Sequence, residues 1–70
     1  MKVRLRIKEV AIEKGFSQRK LSMRSGVDMR TVQEIWHRPY RNVTTETLNK
    51  LANTLGVDAS ELIETVPDEK

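Results

Sequence analysis

Apolar and charged residues alternate at the start of the chain and then change to a helical spacing. Residues 2–6 follow a period of two, which is typical of a short strand. From Ile7 the apolar positions recur at helical intervals, and Gly15 has the backbone freedom to end the helix. The pattern therefore predicts a strand over 2–6 followed by a helix that begins at Ile7.

Two short helices are expected next, each with a polar residue in front of it. Ser17 is a suitable N-cap for a helix over 18–25, because its hydroxyl can accept from a backbone N–H of the first turn. Gly26 ends that helix. Asp28 is the next N-cap, and it opens a helix over 29–37.

A proline separates the third helix from the fourth. Pro39 disfavours helical geometry in the residue before it, so residues 38–42 are expected to form a loop. Thr44 or Thr45 caps a fourth helix, which ends at Gly56. Four apolar residues at helical spacing give this helix a stripe to bury: Leu48, Leu51, Ala52 and Leu55.

The last part of the chain predicts a fifth helix and a second strand. Asp58 and Glu61 have the spacing of a capping pair for a short helix. The β-branched residues of segment 63–66 favour an extended backbone, which we expect to pair with residues 2–6 as a ribbon. The expected fold is all-α, with five helices and a small two-stranded ribbon formed by the N- and C-terminal segments.

Charge is distributed unevenly along the 70 residues. The chain has 13 Lys and Arg and 10 Asp and Glu, for a net charge of +3. Residues 1–42 hold eleven basic and four acidic side chains, whereas residues 43–70 hold two and six. This asymmetry indicates a basic face for a polyanion and an acidic tail that points away from it, with a mixed solvated surface as an equal alternative.

Length and composition exclude several classes of protein. A chain of this size buries only about 60% of its unfolded surface, too little for a two-domain enzyme or a cofactor crevice. Its apolar runs are far shorter than the roughly 20 residues that span a bilayer, and its N-terminus has no apolar signal segment. The absence of cysteine excludes disulfides and a thiolate zinc site and fits a reducing cytosol. We expect one soluble cytoplasmic domain over residues 1–70.

The second and third helices have the residue types that a helix-turn-helix unit requires. Such a unit needs a small residue where the helices cross, a glycine at the turn, an apolar residue in the corner and apolar inner faces. The chain has these at Leu21, Ser22, Gly26, Val27, Val32 and Ile35.

A longer pattern runs through Gly15-Phe16-Ser17-Gln18, Leu21, Gly26-Val27, Thr31-Val32, Ile35, Thr47-Leu48, Leu51-Ala52 and Leu55-Gly56-Val57. Through these residues the chain resembles the Cro/C1 repressor family, also called Xre-like regulators, over residues 5–64. Trp36 departs from the family pattern, because many members carry a charged residue there, and Ser22 and Ser25 replace the usual alanines. The resemblance implies a lambda-repressor-like DNA-binding domain with its helix-turn-helix unit over 18–37.

Helix 29–37 would lie in the major groove in this family, and its two faces differ in character. At 100° per residue, the inward arc holds Val32, Ile35, Trp36 and Met29. The outward arc holds Arg30, Gln33, Glu34 and His37. The resemblance separately points to Met29, Arg30 and Glu34 as base contacts. We therefore expect DNA bases to be contacted by Met29, Arg30, Gln33 and Glu34.

Each of these side chains has a defined chemistry and, in two cases, an alternative. Arg30 can bridge O6 and N7 of guanine, and Gln33 can bridge N6 and N7 of adenine. Glu34 can accept from N4 of cytosine, form an i,i+4 ion pair with Arg30 or Arg38, or do both and orient Arg30. Met29 can contact a thymine methyl group or be a partly buried N-terminal residue.

Phosphate contacts are expected from polar and basic groups around that helix. The resemblance places one at Gln18, where the free N–H groups at a helix start also favour an anion. Tyr40 and Arg41 have a solvated loop as their alternative, and Arg19 and Lys20 are better explained as an exposed face. The expected set is Ser17, Gln18, Thr31, His37, Arg38, Tyr40, Arg41, Asn42 and Thr44.

Trp36 and His37 have simpler explanations than a special site. Trp36 lies on the inward arc and is expected to pack on Pro39, Tyr40 or the fourth helix. His37 has no second His or Cys at ligand spacing, so we expect no metal, no cofactor and no small-molecule ligand. With one histidine, no cysteine and no glycine-rich phosphate loop, the chain is not expected to be an enzyme.

The sequence thus predicts a small regulator that binds double-stranded DNA, as a homodimer on a near-palindromic operator with half-sites about 34 Å apart. Repression is favoured over activation because these residues hold no second domain. The alternative is an antitoxin-like or adaptor module that binds a protein partner through an exposed apolar patch. The candidate residues for that patch are Ile12, Leu62, Ile63 and Val66, and a DNA-binding dimer would use the same residues.

Overall fold

The computed structural model describes residues 1–67, which form four α-helices, one 3-10 turn and two strands. Asp68 and Glu69, which belong to the expected acidic tail, lie outside the described residues. In chain order the elements are β1 (Lys2–Leu5), α1 (Ile7–Glu13), α2 (Gln18–Ser25), α3 (Met29–His37), α4 (Thr45–Leu55), the 3-10 turn (Ala59–Leu62) and β2 (Ile63–Val66).

The two ends of the described chain pair with each other. β1 and β2 form an antiparallel ribbon in which Lys2 lies opposite Val66 and Leu5 lies opposite Ile63. The predicted ribbon is therefore confirmed, although β1 is one residue shorter than expected. Arg6 is the N-cap residue of α1, and its N–H donates to the Leu62 carbonyl at 2.7 Å.

The expected fifth helix is wrong, because the chain makes only a four-residue 3-10 turn at that point. The Asp58 side chain makes no cap hydrogen bond, and the Glu61 N–H donates to the backbone carbonyl of Asp58 at 2.9 Å. Ile63 then takes an extended conformation and enters β2. Four residues between a turn and a strand cannot complete the hydrogen-bonded turns that an α-helix needs.

Side-chain caps begin three of the four helices. Ser17 Oγ accepts from the Lys20 N–H at the start of α2, and the Asp28 carboxylate accepts from the Arg30 N–H at the start of α3, both at 3.1 Å. At the start of α4, Thr44 Oγ1 accepts a backbone N–H at 3.1 Å, so Thr44 rather than Thr45 is the cap. Each cap satisfies a backbone donor that the helix itself leaves unpaired.

The core lies between the four helices and the inner side of the ribbon. Leu21, Leu51 and Leu62 have no exposed surface. The burial of Leu62 contradicts its expected place in an exposed apolar patch, because the 3-10 turn directs this side chain into the core. Ile63 and Val66 are half-buried, and Ile12 is exposed on α1. The patch proposed for a protein partner is therefore not formed as expected.

A charge cluster fastens the ribbon to α1. The Arg4 guanidinium donates to the carboxylates of Glu9 on α1 and Glu64 on β2. Partial burial alone would raise the pKa of Glu9, but the hydrogen bond from Arg4 and the positive charges of Arg4 and Arg6 outweigh it. The pKa of Glu9 is therefore below its usual value of 4.5.

This pKa gives the stability of the domain a specific acid dependence. Because Glu9 has a lower pKa in the folded state, it contributes stability above its unfolded pKa and loses that contribution as the pH falls through the folded one. We expect the wild type to lose stability more steeply than Glu9→Gln below about pH 4.5, as measured by urea unfolding midpoints. Glu13→Gln, which alters an exposed carboxylate on the same helix, should follow the wild type. Parallel curves for the wild type and Glu9→Gln would contradict this role.

Candidate nucleic-acid interface

α2 and α3 are joined by a tight turn whose corner is filled by an apolar side chain. Gly26 ends α2 with φ +78°, a left-handed backbone conformation that residues with a Cβ atom rarely adopt. Val27 follows and is buried against the core with 7% of its surface exposed. α3 begins two residues later, so the predicted helix-turn-helix geometry is present in the structure.

Two serines fasten this turn through their side chains. Ser22 Oγ donates to the Val27 carbonyl at 2.7 Å. Ser25 Oγ donates to the Leu21 carbonyl at 2.6 Å and accepts from the Val27 N–H at 3.1 Å. All three hydrogen bonds are partly buried, and the two to Val27 satisfy both backbone groups of the corner residue. The two serines that replace the usual alanines thus have a structural role.

α3 presents the face that its sequence predicts. Val32 and Ile35 are buried at 1% and 2% exposure, and Trp36 is half-buried against the core. Three of the four expected base-contacting residues are exposed, namely Arg30, Gln33 and Glu34. The fourth, Met29, is half-buried, which matches its alternative as a partly buried residue at the helix start.

The expected phosphate-contacting residues lie at the ends of α2, α3 and α4 and in the loop between α3 and α4. Gln18 is the first residue of α2, and the Thr44 hydroxyl at the start of α4 donates to Thr47 Oγ1 at 3.0 Å. Gln18, Thr31 and Arg41 are half-buried. The exposed members are Ser17, His37, Arg38, Tyr40, Asn42 and Thr44.

The acidic residue on the exposed face of α3 has a partner that the sequence did not predict. Glu34 Oε1 lies 3.0 Å from Arg41 Nη1, and no ion pair with Arg30 or Arg38 is present among the described residues. The i,i+4 prediction for Glu34 is therefore wrong, because the loop after α3 folds back and brings its own arginine to the carboxylate. Arg41 Nη1 has almost no exposed surface.

The same loop is also attached to β1. The Leu5 N–H donates to the Pro39 carbonyl at 2.6 Å, and Lys2 Nζ lies 4.7 Å from the centre of the Tyr40 ring. Lys2 therefore lies beside a predicted phosphate-contacting residue, a position that the sequence did not predict. The predicted pairing of the chain ends was one signal for it, but the position also depends on the path of the loop, which periodicity does not predict.

A family model for the Cro/C1-type HTH DNA-binding domain matches residues 6–68. The chain belongs to the Cro/C1-type helix-turn-helix family. This Cro/C1-type domain is also similar to a solved structure, that of a "putative DNA-binding protein" from Bacteroides fragilis. The two share 31% sequence identity with a TM-score of 0.75, and the match covers 89% of this chain and 98% of the other. No curated protein matches the sequence.

The described part of the Cro/C1-type domain holds neither a metal-binding cluster nor a membrane-spanning helix. Within residues 1–67, no group of three or more His, Cys, Asp or Glu residues lies close enough to hold a metal ion. None of the described helices has the length and apolar character to cross a membrane.

The serine hydrogen bonds are expected to stabilise the turn between α2 and α3 of this Cro/C1-type domain. Ser25→Ala leaves the Val27 N–H without its acceptor in a partly buried site, so we expect a loss of about 1 kcal/mol in the free energy of unfolding. For a domain of this size that corresponds to a decrease in Tm of roughly 4–8 °C. Ser60→Ala, at an exposed serine of the 3-10 turn, is the control and should leave Tm unchanged. Equal melting temperatures for the wild type and Ser25→Ala would contradict the role of this hydroxyl.

Proposed function

We propose that this protein is a sequence-specific regulator that binds double-stranded DNA and reads the major groove with α3, residues 29–37. The observation that carries the proposal is the exposed face of α3, where polar and charged side chains stand clear of the core in a DNA-binding family. The family match supports DNA binding, and the exposed face supports the more specific statement that particular bases are read.

The base contacts that we propose follow from the hydrogen-bonding groups of each side chain. Arg30 bridges O6 and N7 of a guanine, and Gln33 bridges N6 and N7 of an adenine. Glu34 accepts from N4 of a cytosine, and Met29 touches a thymine methyl group at the edge of the interface. Exposure supports these roles for Arg30, Gln33 and Glu34 more than for the half-buried Met29.

The phosphate contacts that we propose come from residues on both sides of α3. Such contacts fix the position of the protein on the duplex without reading its sequence. Arg41 is not in the set that we propose, because its guanidinium already lies against a carboxylate. The proposed set is Ser17, Gln18, Thr31, His37, Arg38, Tyr40, Asn42 and Thr44.

The working unit that we propose is a homodimer on a near-palindromic operator, with half-sites about 34 Å apart. One α3 presents only a few base-reading side chains, so two copies are needed to define a site within a genome. We propose that residues 1–70 act as one DNA-binding domain, with the helix-turn-helix unit over 18–37. Repression by occupying the operator is the mode we favour, since it requires binding and no catalysis, and the place of action is the cytoplasm, at the nucleoid.

The alternative function, an antitoxin-like or adaptor module, needs an apolar surface for its partner. Leu62, one of four residues expected there, is fully buried. Ile63 and Val66 are half-buried, which leaves Ile12 as the exposed member of the set. The exposed face of α3 is polar and charged, with Arg30, Gln33 and His37 beside the single acidic Glu34, and this favours DNA as the function that we retain.

The experiment that tests the proposal is the selection of bound duplexes from a random DNA pool at near-physiological salt, followed by sequencing. We expect enrichment of an inverted repeat, which would supply the operator and support the dimer. Enrichment of a single half-site would keep sequence-specific binding and remove the dimer. Retention that depends on salt but enriches no sequence would contradict the proposal and favour the partner-binding module.

Two arginine variants separate base contacts from phosphate contacts. Arg30→Ala should reduce the preference at one base pair by about 1–3 kcal/mol, because one side chain reads one base. Arg38→Ala should weaken binding to all sequences alike and lower the slope of log K against log salt by about one. Binding titrations on the selected site and its single-base-pair variants measure both effects. Uniform weakening by both substitutions would overturn the assignment of Arg30.

A further inference from the structure

The exposed face of α3 carries an acidic group where DNA binding disfavours one. Glu34 is the single carboxylate of α3, and it shares the exposed face with Arg30 and Gln33. In a groove lined by phosphates a free carboxylate is repelled by every duplex, whatever its sequence. Its presence there requires either a compensating cation or a hydrogen-bond donor on the DNA.

The compensating cation is present before DNA binds. Arg41 Nη1 lies 3.0 Å from Glu34 Oε1, and the two side chains are 33% and 47% exposed. Arg41 Nη1 itself has almost no contact with solvent and has no aligned hydrogen-bond acceptor among the described residues. This nitrogen is therefore held against the protein by the charge of Glu34, and it does not extend toward a phosphate.

We propose, on the basis of the DNA-binding function above, that Arg41 is a positioning residue for Glu34. Its positive charge lies against Oε1 and neutralises the carboxylate, and Oε2 then accepts a hydrogen bond from the N4 amine of a cytosine. A carboxylate only accepts hydrogen bonds, and the N4 amine of cytosine is a donor on the major-groove edge. Adenine fits less well, since its N6 donor lies beside the N7 acceptor, which repels a carboxylate. The pair thus makes Glu34 specific for cytosine and gives Arg41 a part in specificity.

The test uses Glu34→Gln, Arg41→Gln and the double variant on the selected site and on all its single-base-pair changes. We expect Glu34→Gln to move the preference at one base pair from cytosine toward adenine, because glutamine both donates and accepts. Arg41→Gln should reduce the preference for cytosine at that same base pair by about fivefold or more, the low end of one good base contact. Arg41→Gln should have no further effect on base preference when Glu34 is already glutamine.

Salt dependence provides the second readout. The double variant has the same local net charge as the intact pair, so its slope of log K against log salt should equal that of the wild type. Thermal unfolding checks that each variant is folded, which we expect because a partly exposed ion pair contributes little to stability. Lys50→Gln, which removes the partner of Glu46 at 3.9 Å on α4, is the matched control and should alter the preference at no single base pair.

The outcomes separate this inference from the proposed function. If Arg41→Gln weakens all sequences alike, lowers the salt slope by about one and adds to the effect of Glu34→Gln, Arg41 is a phosphate contact and the inference is overturned. The proposed function survives that result, because the wild type still selects a sequence. A wild type that prefers no sequence overturns both.

Discussion

The antiparallel pairing of β1 with β2 is the interaction on which the rest of the structure depends. A chain of this size buries only a modest fraction of its surface, and it has no cysteine to link its ends. The ribbon brings Leu5 to the core and places Arg4 between carboxylates on α1 and β2. It also brings a backbone donor of β1 to the loop that follows α3, through the bond from Leu5 to Pro39.

That loop is attached at three successive residues to other parts of the fold. The Pro39 carbonyl accepts from β1, the Tyr40 ring lies under Lys2, and Arg41 pairs with Glu34 on α3. The Tyr40 ring and the Arg41 guanidinium both lie in the proposed DNA surface. Their positions are set by the ribbon and by α3 together. Contacts with the rest of the fold therefore hold the loop in place before DNA binds. A loop held only at its ends would lose more conformational entropy on binding DNA than this one does.

The features that the sequence predicted well are those with a local physical cause. A capping hydroxyl such as Ser17 and a left-handed glycine such as Gly26 act within one turn of their own position, so their pattern is visible in the sequence. The two faces of α3 follow from helical geometry, which is why the burial of Val32 and the exposure of Arg30 agree with the predicted arcs. The extended segment at the C-terminus followed from its β-branched residues.

The features that the sequence missed are set by contacts between distant residues. The i,i+4 rule considers only partners three or four residues away from Glu34. It therefore does not predict a contact with Arg41, which the loop after Pro39 brings back to the helix. The segment before β2 was predicted to be a helix because Asp58 and Glu61 have the spacing of a capping pair. That spacing is the same whether the element that follows has four residues or eight, so it does not distinguish a 3-10 turn from an α-helix. Leu62 looked available for a partner because the direction of a side chain at the end of a 3-10 turn depends on what packs beside it.

The charge distribution also explains why the exposed face of α3 matters more than the net charge. Eleven basic residues over residues 1–42 attract any duplex, and this attraction does not distinguish one sequence from another. If α3 reads the major groove as proposed, a carboxylate such as Glu34 lowers the affinity for every sequence that offers it no hydrogen-bond donor. It lowers the affinity least where the DNA places a donor opposite it. Specificity is a difference between affinities, so a group that penalises the wrong sequences increases specificity even when it adds nothing to the strongest complex. An acidic residue on a DNA-reading helix is therefore consistent with sequence-specific binding, provided that the neighbouring arginine limits its cost.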